Sequence, residues 1–325
     1  MKDENQLNYT NQPPLFIYTY ACRDEETSLF QLELRTLFGV PQVPPNMLIS
    51  RTAIDPSRSP FIKERIEVMY EGDTLASILE QVSQIQLGES TTFKVIFVKT
   101  NDLDPTDKVA YDDRRAIERD LGMHINGEAD VRNPDFEFGI VTMGGRWYFG
   151  SYMKTRTVWL QHIKKPRSYS IALSTRVARA AVNIAIPNPH GVKAIDPCCG
   201  IGTVLVEALS MGIDIVGRDI NPFIAQGARM NIAHFGYDTE VALGAIENVS
   251  TTYDAAIVDM PYNLFSTTSP EEQYSILKHA RRIAKRVVVI TIEDMDERLA
   301  TAGFAIIDRC VVRKGSVIRQ IILCT

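Results

Sequence analysis

Ala194-Ile195-Asp196-Pro197-Cys198-Cys199-Gly200-Ile201-Gly202-Thr203 is the stretch that decides the fold. An apolar strand is predicted to end at Asp196, a Gly-x-Gly turn follows, and a helix is predicted to begin near Thr203. Glycines let a ligand approach the backbone, and the start of a helix offers unpaired N–H groups. The third glycine of a dinucleotide fingerprint would fall at Leu205, and a leucine there argues against a pyrophosphate loop. A plain strand–turn–helix without a ligand stays an alternative.

A second acid follows the next predicted strand. Asp219 comes directly after Ile215-Val216-Gly217-Arg218, nineteen positions beyond Gly200. A carboxylate at this place reaches the hydroxyls of a ribose. A ribose-bearing cofactor without a pyrophosphate loop indicates S-adenosylmethionine. The alternative is a surface aspartate that caps a helix predicted to begin at Pro222.

The third feature is Asp259-Met260-Pro261-Tyr262, after the predicted strand Ala255-Ala256-Ile257-Val258. Ligands bind at the carboxyl ends of parallel strands, so this loop is expected to face the same crevice as Gly200 and Asp219. The lone pair of an exocyclic amine is delocalised into its base ring. The Asp259 carboxylate and a backbone carbonyl after it would favour a pyramidal, nucleophilic nitrogen, and Tyr262 could stack on the base. A plain turn is the alternative for this tetrapeptide taken alone.

The two halves of the chain differ in their predicted elements. Short strands and helices mix in the first half, with a hairpin signal at Gly144-Gly145, which is typical of small α+β units. From about Ser174 strands and helices alternate, which predicts a parallel sheet covered on both faces and closed by a C-terminal antiparallel pair. We expect an N-terminal α+β region over 1–155, a basic linker over 156–173 and a doubly wound α/β domain over 174–325.

Charge is distributed unevenly along the chain. The net charge of −5 argues weakly against a nucleic-acid partner. However, no Asp or Glu lies between Glu137 and Asp196, a stretch that carries nine Lys and Arg residues as well as aromatic residues. A solvated face balanced by acids elsewhere is one explanation, and contact with RNA or DNA is the other. The candidate RNA contacts are Lys154, Arg156, Lys164, Lys165 and Arg167.

Metal and membrane partners are not expected. The five cysteines contain no C-x-x-C pair and no His cluster accompanies them, which argues against a structural zinc and a disulfide framework. The first residues lack the apolar stretch of a signal peptide, and no uncharged apolar run approaches the roughly 20 residues that cross a bilayer. We therefore expect a cytoplasmic location.

These motifs resemble those of the THUMP-containing tRNA guanosine methyltransferases, which methylate the exocyclic amine, and of related RNA methylases. Asp196 to Thr203 closely matches that family's cofactor motif, and Asp219-Ile220-Asn221 is similar to its ribose-binding turn. Asp259 to Tyr262 resembles its D-P-P-Y catalytic loop. The segment from Arg114 to Gly150 resembles the second half of a THUMP domain, which in that family holds the acceptor end of tRNA.

The resemblance implies a Rossmann-like methyltransferase domain, preceded by a ferredoxin-like and THUMP-type RNA-binding region. It implies S-adenosyl-L-methionine as the cofactor and a guanosine in tRNA as the target, with no metal. The implied catalytic residues are Asp259, Pro261 and Tyr262. The implied cofactor-binding residues are Asp196, Cys198, Gly200, Gly202, Thr203, Asp219, Ile220, Ala245 and Ile246.

Two positions depart from the family's pattern. Met260 replaces the first proline of D-P-P-Y, and Ala245 stands where the family usually has an aspartate near the adenine. Glu247 is a candidate to supply the missing carboxylate. Two alternatives therefore stay open: a DNA amino-methyltransferase, and a non-catalytic RNA-binding protein that kept the methyltransferase fold.

Overall fold

A computed structural model describes residues 13–45, 47–99, 108–168, 172–261, 269–314 and 317–325. The chain divides into two compact units that do not follow chain order. Unit 1 comprises Met1–Ala21, Pro44–Ser57 and Ile62–Arg156, and unit 2 comprises Cys22–Val43, Arg58–Phe61 and Thr157–Thr325. The first helix of the chain therefore belongs to unit 2, together with the C-terminal elements. The domain boundaries predicted after residues 155 and 173 stay a proposal.

Unit 1 is built on one seven-stranded sheet. Its strands are β1 (Phe16–Tyr20), β2 (Met47–Ser50), β3 (Ile62–Gly72), β4 (Thr92–Phe97), β5 (Glu128–Ala129), β6 (Phe136–Met143) and β7 (Arg146–Lys154), and its helices are α2 (Leu75–Val82) and α3 (Tyr111–His124). The strand order is β2-β1-β3-β7-β6-β4-β5. Pairing is parallel between β4 and its neighbours β5 and β6, and antiparallel elsewhere.

Two features of this sheet bear on the sequence predictions. The hairpin predicted at Gly144-Gly145 is confirmed, since it joins the antiparallel strands β6 and β7. The longest strand, β3, was not predicted, although it lies between β1 and β7 and buries Ile62 and Ile66. The assignment of this region as ferredoxin-like and THUMP-type stays a proposal.

Unit 2 is a doubly wound α/β fold. Its strands are β8 (Lys193–Asp196), β9 (Asp214–Asp219), β10 (Val241–Leu243), β11 (Tyr253–Asp259), β12 (Ala284–Thr291), β13 (Ile306–Lys314) and β14 (Val317–Cys324). Its helices are α1 (Thr27–Phe38), α4 (Thr175–Ala185), α5 (Thr203–Ser210), α6 (Pro222–His234), α7 (Pro270–Ile283) and α8 (Asp296–Thr301). The strand order is β10-β9-β8-β11-β12-β14-β13.

The predicted parallel sheet with a terminal antiparallel pair is confirmed. Strands β8 to β12 pair in parallel, and β14 pairs antiparallel with both β12 and β13. The short elements β10 and α8 were not predicted. Gly315 and Ser316, which come between β13 and β14 in the sequence, are not among the described residues.

Side-chain alternation along β11 decides what faces the site. Ala256, Val258 and Met260 lie in one apolar cluster with Leu277 of α7. Because successive side chains of a strand point to opposite faces, Asp259 lies on the face away from α7. The sheet therefore separates the Asp259 carboxylate from this apolar cluster.

Side-chain N-caps determine where two helices of unit 2 begin. Ser174 accepts a hydrogen bond from the Val177 N–H and begins α4, as predicted. Asn221 caps α6 through the Phe223 and Ile224 N–H groups. Each cap satisfies backbone donors that the helix itself leaves unpaired, so the starting points are fixed locally.

A buried ion cluster fixes the helix that follows the Gly-x-Gly turn. Arg179 of α4 donates to the Glu207 carboxylate of α5 at 2.7 Å, and His162 lies 2.8 Å from the other oxygen of the same carboxylate. All three side chains are buried. Since removing one partner of a buried ion pair leaves an uncompensated charge, this cluster ties α4 and α5 together.

Candidate active site

A cavity of about 860 Å³ opens at the carboxyl edge of the unit 2 sheet. It is lined by residues that follow β8, β9, β10 and β11, so all three sequence motifs meet there. The predicted cofactor residues that line it are Asp196, Cys198, Gly200, Thr203, Asp219, Ile220, Ala245 and Ile246. Gly202 is not among the lining residues, and it is the N-cap residue of α5.

The Gly-x-Gly turn needs its glycines for conformational reasons. Gly200 and Gly202 have φ values of +54° and +78°, in the left-handed region. A Cβ at Gly202 would also lie 3.2 Å from the Cβ of Ala228. The turn ends in α5, whose first residue, Thr203, lines the cavity. The sequence therefore presents a helix start at the cavity wall, the feature that the motif predicted.

Asp219 ends β9 and is bound by the backbone on both oxygens. The Gly200 N–H donates to Oδ2 at 3.0 Å and the Asn221 N–H donates to Oδ1 at 2.9 Å. Burial raises the pKa of Asp219, and these two hydrogen bonds oppose that rise. The alternative that Asp219 merely caps α6 is wrong, because Asn221 is the cap.

Asp196 lies between the other two acids on the same edge. It ends β8, is buried, and accepts the Cys198 N–H at 3.2 Å. Burial raises the pKa of Asp196 well above its usual range, and the negative charges of Asp259 and Asp219 add to the rise. Three carboxyl groups thus share one crevice, which raises the cost of having all of them ionised without a cation nearby.

Asp259 differs from the other two acids in having an orphaned oxygen. Its Oδ1 is removed from solvent and has no hydrogen-bond partner in the part of the chain that the structure describes. Burial raises the pKa of Asp259 to about 7, and the positive charge of Arg319 opposes that rise. A buried acceptor without a donor is costly and uncommon, so this atom is a candidate acceptor for a donor from a ligand.

The replacement of proline by Met260 has a clear structural result. The Met260 N–H donates to the Ile290 carbonyl at 2.9 Å, a bond that a proline could not make. The hydrogen-bonding between β11 and β12 is therefore extended by one residue into the loop. Pro261 lines the cavity, and Tyr262 lies outside the described residues.

The sequence motifs predicted only some of the residues that line the cavity. Glu247, two residues after Ala245, lines it and accepts a hydrogen bond from Ser275 at 2.8 Å. A backbone hydrogen bond and the Ser275 hydroxyl lower the pKa of Glu247, so this carboxylate stays ionised. Sequence reasoning missed the apolar wall because such side chains carry no chemical signal. That wall includes Leu173, Ile224 and Ile276.

Part of the acid-free basic stretch is neutralised within the fold. Arg146 lies 3.4 Å from Glu71, and Arg176 lies 2.8 Å from Glu26. For these residues and for the buried Arg179, the first of the two explanations holds: acids from other parts of the chain balance their positive charges. They were not among the candidate RNA contacts.

The candidate RNA contacts lie in different surroundings. In unit 2, Lys164 and Arg167 are exposed, whereas the Lys165 ammonium donates to the Thr203 hydroxyl at 2.6 Å. In unit 1, Arg156 is exposed and lies 3.8 Å from Asp55. Lys154 lines a cavity of about 370 Å³ of mixed charge, which contains the basic residues Lys94, Arg114 and Arg115 and the acidic residues Glu64, Glu118 and Glu137.

The structure gives no sign of a metal centre or a membrane span among the residues it describes. No three His, Cys, Asp or Glu side chains of that part of the chain form a group that could hold a metal ion. Within the same residues, no helix has the length and apolar character needed to cross a bilayer.

Comparison with known proteins places the C-terminal part of the chain. Residues 164–301 match the model of the UPF0020 family, described as RMKL-like, methyltransferase domain. The tRNA (guanine(10)-N2)-dimethyltransferase of Methanothermobacter thermautotrophicus is 34% identical over 122 residues, which are 35% of each chain. The tRNA (guanine(10)-N2)-dimethyltransferase of Pyrococcus abyssi is 31% identical over 166 residues, 47% of this chain and 49% of that protein.

The chain therefore spans about a third to a half of the length of these curated relatives. Among solved structures, TrmN from Thermus thermophilus aligns with a TM-score of 0.46 and 17% identity, over 95% of this chain and 99% of that one. The fold assignment rests on the strand order and helix placement described above.

The resemblance predicted from the motifs is confirmed by the family match and by these relatives. Unit 2 has a Rossmann-like α/β fold, and residues 164–301 within it match a methyltransferase-domain model. A match to a methyltransferase domain implies S-adenosylmethionine as the cofactor.

Proposed function

We propose that this protein is an S-adenosylmethionine-dependent RNA methyltransferase that methylates N2, the exocyclic amine, of a guanosine in tRNA. One observation carries the proposal: the carboxylate of Asp259 ends β11 at the cavity edge with an orphaned acceptor oxygen. The names of the curated relatives support guanine N2 as the target atom.

The cavity suits the proposed cofactor. The Gly200 turn and the start of α5 would hold its amino-acid part, and Asp219 would accept hydrogen bonds from the ribose, using lone pairs that its two backbone donors leave free. Ile220 and Ile246 offer apolar contact to the adenine. Glu247 would accept the adenine amine in place of the carboxylate that Ala245 lacks.

The proposed chemistry is in-line methyl transfer. When bound, S-adenosylmethionine supplies a methyl group on a positively charged sulfur. Asp259 would accept a hydrogen bond from the target amine and hold the nitrogen lone pair toward the methyl carbon. The cofactor would supply the methyl group and keep the S–C bonding pair, so the methylated nitrogen would carry a positive charge until it loses a proton. The ionised Asp259 then takes the excess proton.

Substrate binding would use both units. The exposed Lys154, Lys164 and Arg167 are proposed to contact RNA phosphates. The predicted THUMP-type region would hold the acceptor end of the tRNA, and Tyr262 would stack on the target base. A base within a helix would be flipped out, at a cost of about a few kcal/mol. The predicted cytoplasmic location belongs to this proposal, because tRNA is the substrate.

The two departures from the family's pattern are compatible with activity. Met260 gains a backbone hydrogen bond to Ile290, and Glu247 supplies a carboxylate at the cavity beside Ala245. These contacts support the enzyme over a non-catalytic RNA-binding protein.

The test is to incubate the protein with labelled S-adenosylmethionine and either total tRNA or duplex DNA, and to identify the products by nucleoside mass spectrometry. The proposal predicts N2-methylguanosine or N2,N2-dimethylguanosine from tRNA and no methylated base from DNA. A methylated adenine or cytosine amine in DNA would establish the DNA amino-methyltransferase instead. If a folded protein that binds cofactor modifies neither substrate, the non-catalytic alternative is correct.

A further inference from the structure

A buried arginine lies at the same sheet edge as Asp259. Strand β12 pairs Ile290 with Asp259 on one side and with Ile321 of β14 on the other. Arg319 is two residues from Ile321, and the period of a strand is two, so its side chain lies on the same face as Asp259. Arg319 is only 5% exposed. Its guanidinium is therefore held inside the fold, on the Asp259 face.

The charges around Asp259 are arranged asymmetrically. From β8 and the turn after it, Asp196 and Cys198 act on Asp259, and Asp219, Glu247 and Glu272 line the same cavity. All five are acids or thiols, so none of them favours a negative charge on Asp259. The positive charge that acts on Asp259 comes from the opposite side, from Arg319 on β14. Arg319 therefore stabilises the ionised form of Asp259 over the protonated form.

We infer that Arg319 is a positioning residue for the proposed reaction: it keeps Asp259 ionised, so that both carboxylate oxygens can accept from the target amine. The inference rests on the proposed function. It assigns to β14 a role that none of the sequence motifs contains.

The first test is the pH dependence of single-turnover methylation at saturating cofactor and tRNA. Burial already raises the pKa of Asp259 to about 7, so the wild-type rate should fall as the pH drops below that value. Arg319→Gln removes the opposing charge and should move the acid limb upward by about one pH unit or more. Near neutral pH this variant should lose about tenfold in rate and recover it at higher pH. An acid limb that stays in place would overturn the inference.

A second test needs no substrate. The Asp259 carboxyl carbon can be followed by ¹³C NMR against pH in the RNA-free protein, with its signal assigned by comparison with Asp259→Asn. Arg319→Gln should raise the titration midpoint, and Arg313→Gln, which changes an exposed arginine of the neighbouring β13, should leave it unchanged. A midpoint equal to that of the wild type in Arg319→Gln contradicts the inference, even if the protein methylates no tRNA.

Arg319→Lys covers the case in which the glutamine variant does not fold. It keeps the charge on a shorter, more flexible stem without the guanidinium's planar donors. Asp259 should then titrate above the wild-type midpoint and, if Arg319→Gln folds, below that variant's midpoint. If only the lysine variant folds, a midpoint at or below that of the wild type would count against the role of Arg319.

Discussion

Asp219 and Asp259 each end a parallel strand at the same edge of the unit 2 sheet, yet the fold surrounds them differently. Both oxygens of Asp219 accept backbone N–H groups, from Gly200 and Asn221. Asp259 has an oxygen that is closed off from solvent and has no hydrogen-bond partner among the described residues. The region around Asp219, which we name the cofactor half of the edge, is already hydrogen-bonded. In the region around Asp259 and Arg319, the acceptor half, the Asp259 Oδ1 accepts no hydrogen bond from the residues that the structure describes.

This difference indicates that the two halves of the edge have different functions. A carboxylate held by backbone donors keeps one orientation and can present its remaining lone pairs to a ligand without rearrangement. A carboxylate buried without a donor is unstable by itself, and such strain is tolerated where a ligand relieves it. The cofactor half is therefore suited to binding, and the acceptor half to a contact that forms when the target amine arrives.

The largest expected effect is on the acceptor half. Asp259→Ala removes both acceptors and should slow methyl transfer by roughly 10²–10⁴-fold, the usual scale for a positioned proton-handling group. Single-turnover assays at saturating cofactor measure this step. Asp254→Ala is the matched control, because Asp254 is exposed near the other end of β11 and does not line the cavity. A wild-type rate in a folded Asp259→Ala protein would remove Asp259 from the mechanism.

Substitutions of the basic residues near the cofactor half are expected to have two different effects, one on tRNA binding and one on cofactor binding. Neutralising Lys164 and Arg167 should weaken tRNA binding and flatten its salt dependence by about one counterion per lost phosphate contact. Lys165→Gln should instead act on cofactor binding, since its ammonium donates to Thr203 at the start of α5.

Titration of tRNA at several salt concentrations measures the first group, with Lys285→Gln as the exposed control at the amino end of β12. Salt slopes that do not differ between the variants and the wild type would leave these residues with a role in solubility alone.

Asp259 should also lower the stability of the protein in a pH-dependent way. Its folded-state pKa of about 7 lies above the ordinary value of 3.8. As the pH rises through this window, the unfolded chain releases the proton first, so folding loses stability, and above it the full cost is present. Asp259→Asn should therefore stabilise the protein by about 1–3 kcal/mol at alkaline pH and by almost nothing near pH 4.

Urea unfolding of the ligand-free protein at the two pH values measures this difference. Equal stabilisation at both would show that Asp259 is not a buried charge in the folded state.

The smallest effect is expected from Glu247. If its carboxylate replaces the one missing at Ala245, then Glu247→Gln should weaken cofactor binding by about three- to tenfold, the scale of one ordinary hydrogen bond. Titration calorimetry measures it, with Glu271→Gln as the control, because Glu271 is exposed in the first turn of α7 and does not line the cavity. Equal affinity in the two variants would leave the adenine contact to other residues.

The cofactor half could be predicted from the sequence because its demands are local. A Gly-x-Gly turn and an acid at the next strand end are set by backbone conformation and strand order, and both lie where the motifs placed them. Strand β3 was missed because Lys63, Glu64, Arg65 and Glu67 interrupt its apolar pattern. Its central place depends on pairing with β1 and β7, which are distant in the chain.

The acceptor half could be predicted only in part. Asp259 stood out because it follows an apolar strand and precedes Met260-Pro261. Arg319 did not, since its closeness to Asp259 arises from the register of β14 against β12, sixty residues further along the chain. The balance of buried charge at this edge is a property of that register and has no counterpart in the sequence motifs.

One paired measurement tests whether the two halves have separate roles in cofactor binding and in methyl transfer. Cofactor affinity and single-turnover rate at saturating cofactor are determined for both Asp219→Asn and Asp259→Asn, each checked for folding. The account predicts that Asp219→Asn weakens cofactor binding and leaves the saturated rate near that of the wild type, whereas Asp259→Asn lowers the rate and leaves cofactor affinity unchanged. If the two variants lose affinity and rate together, the two carboxylates do not have separate roles and the account is wrong.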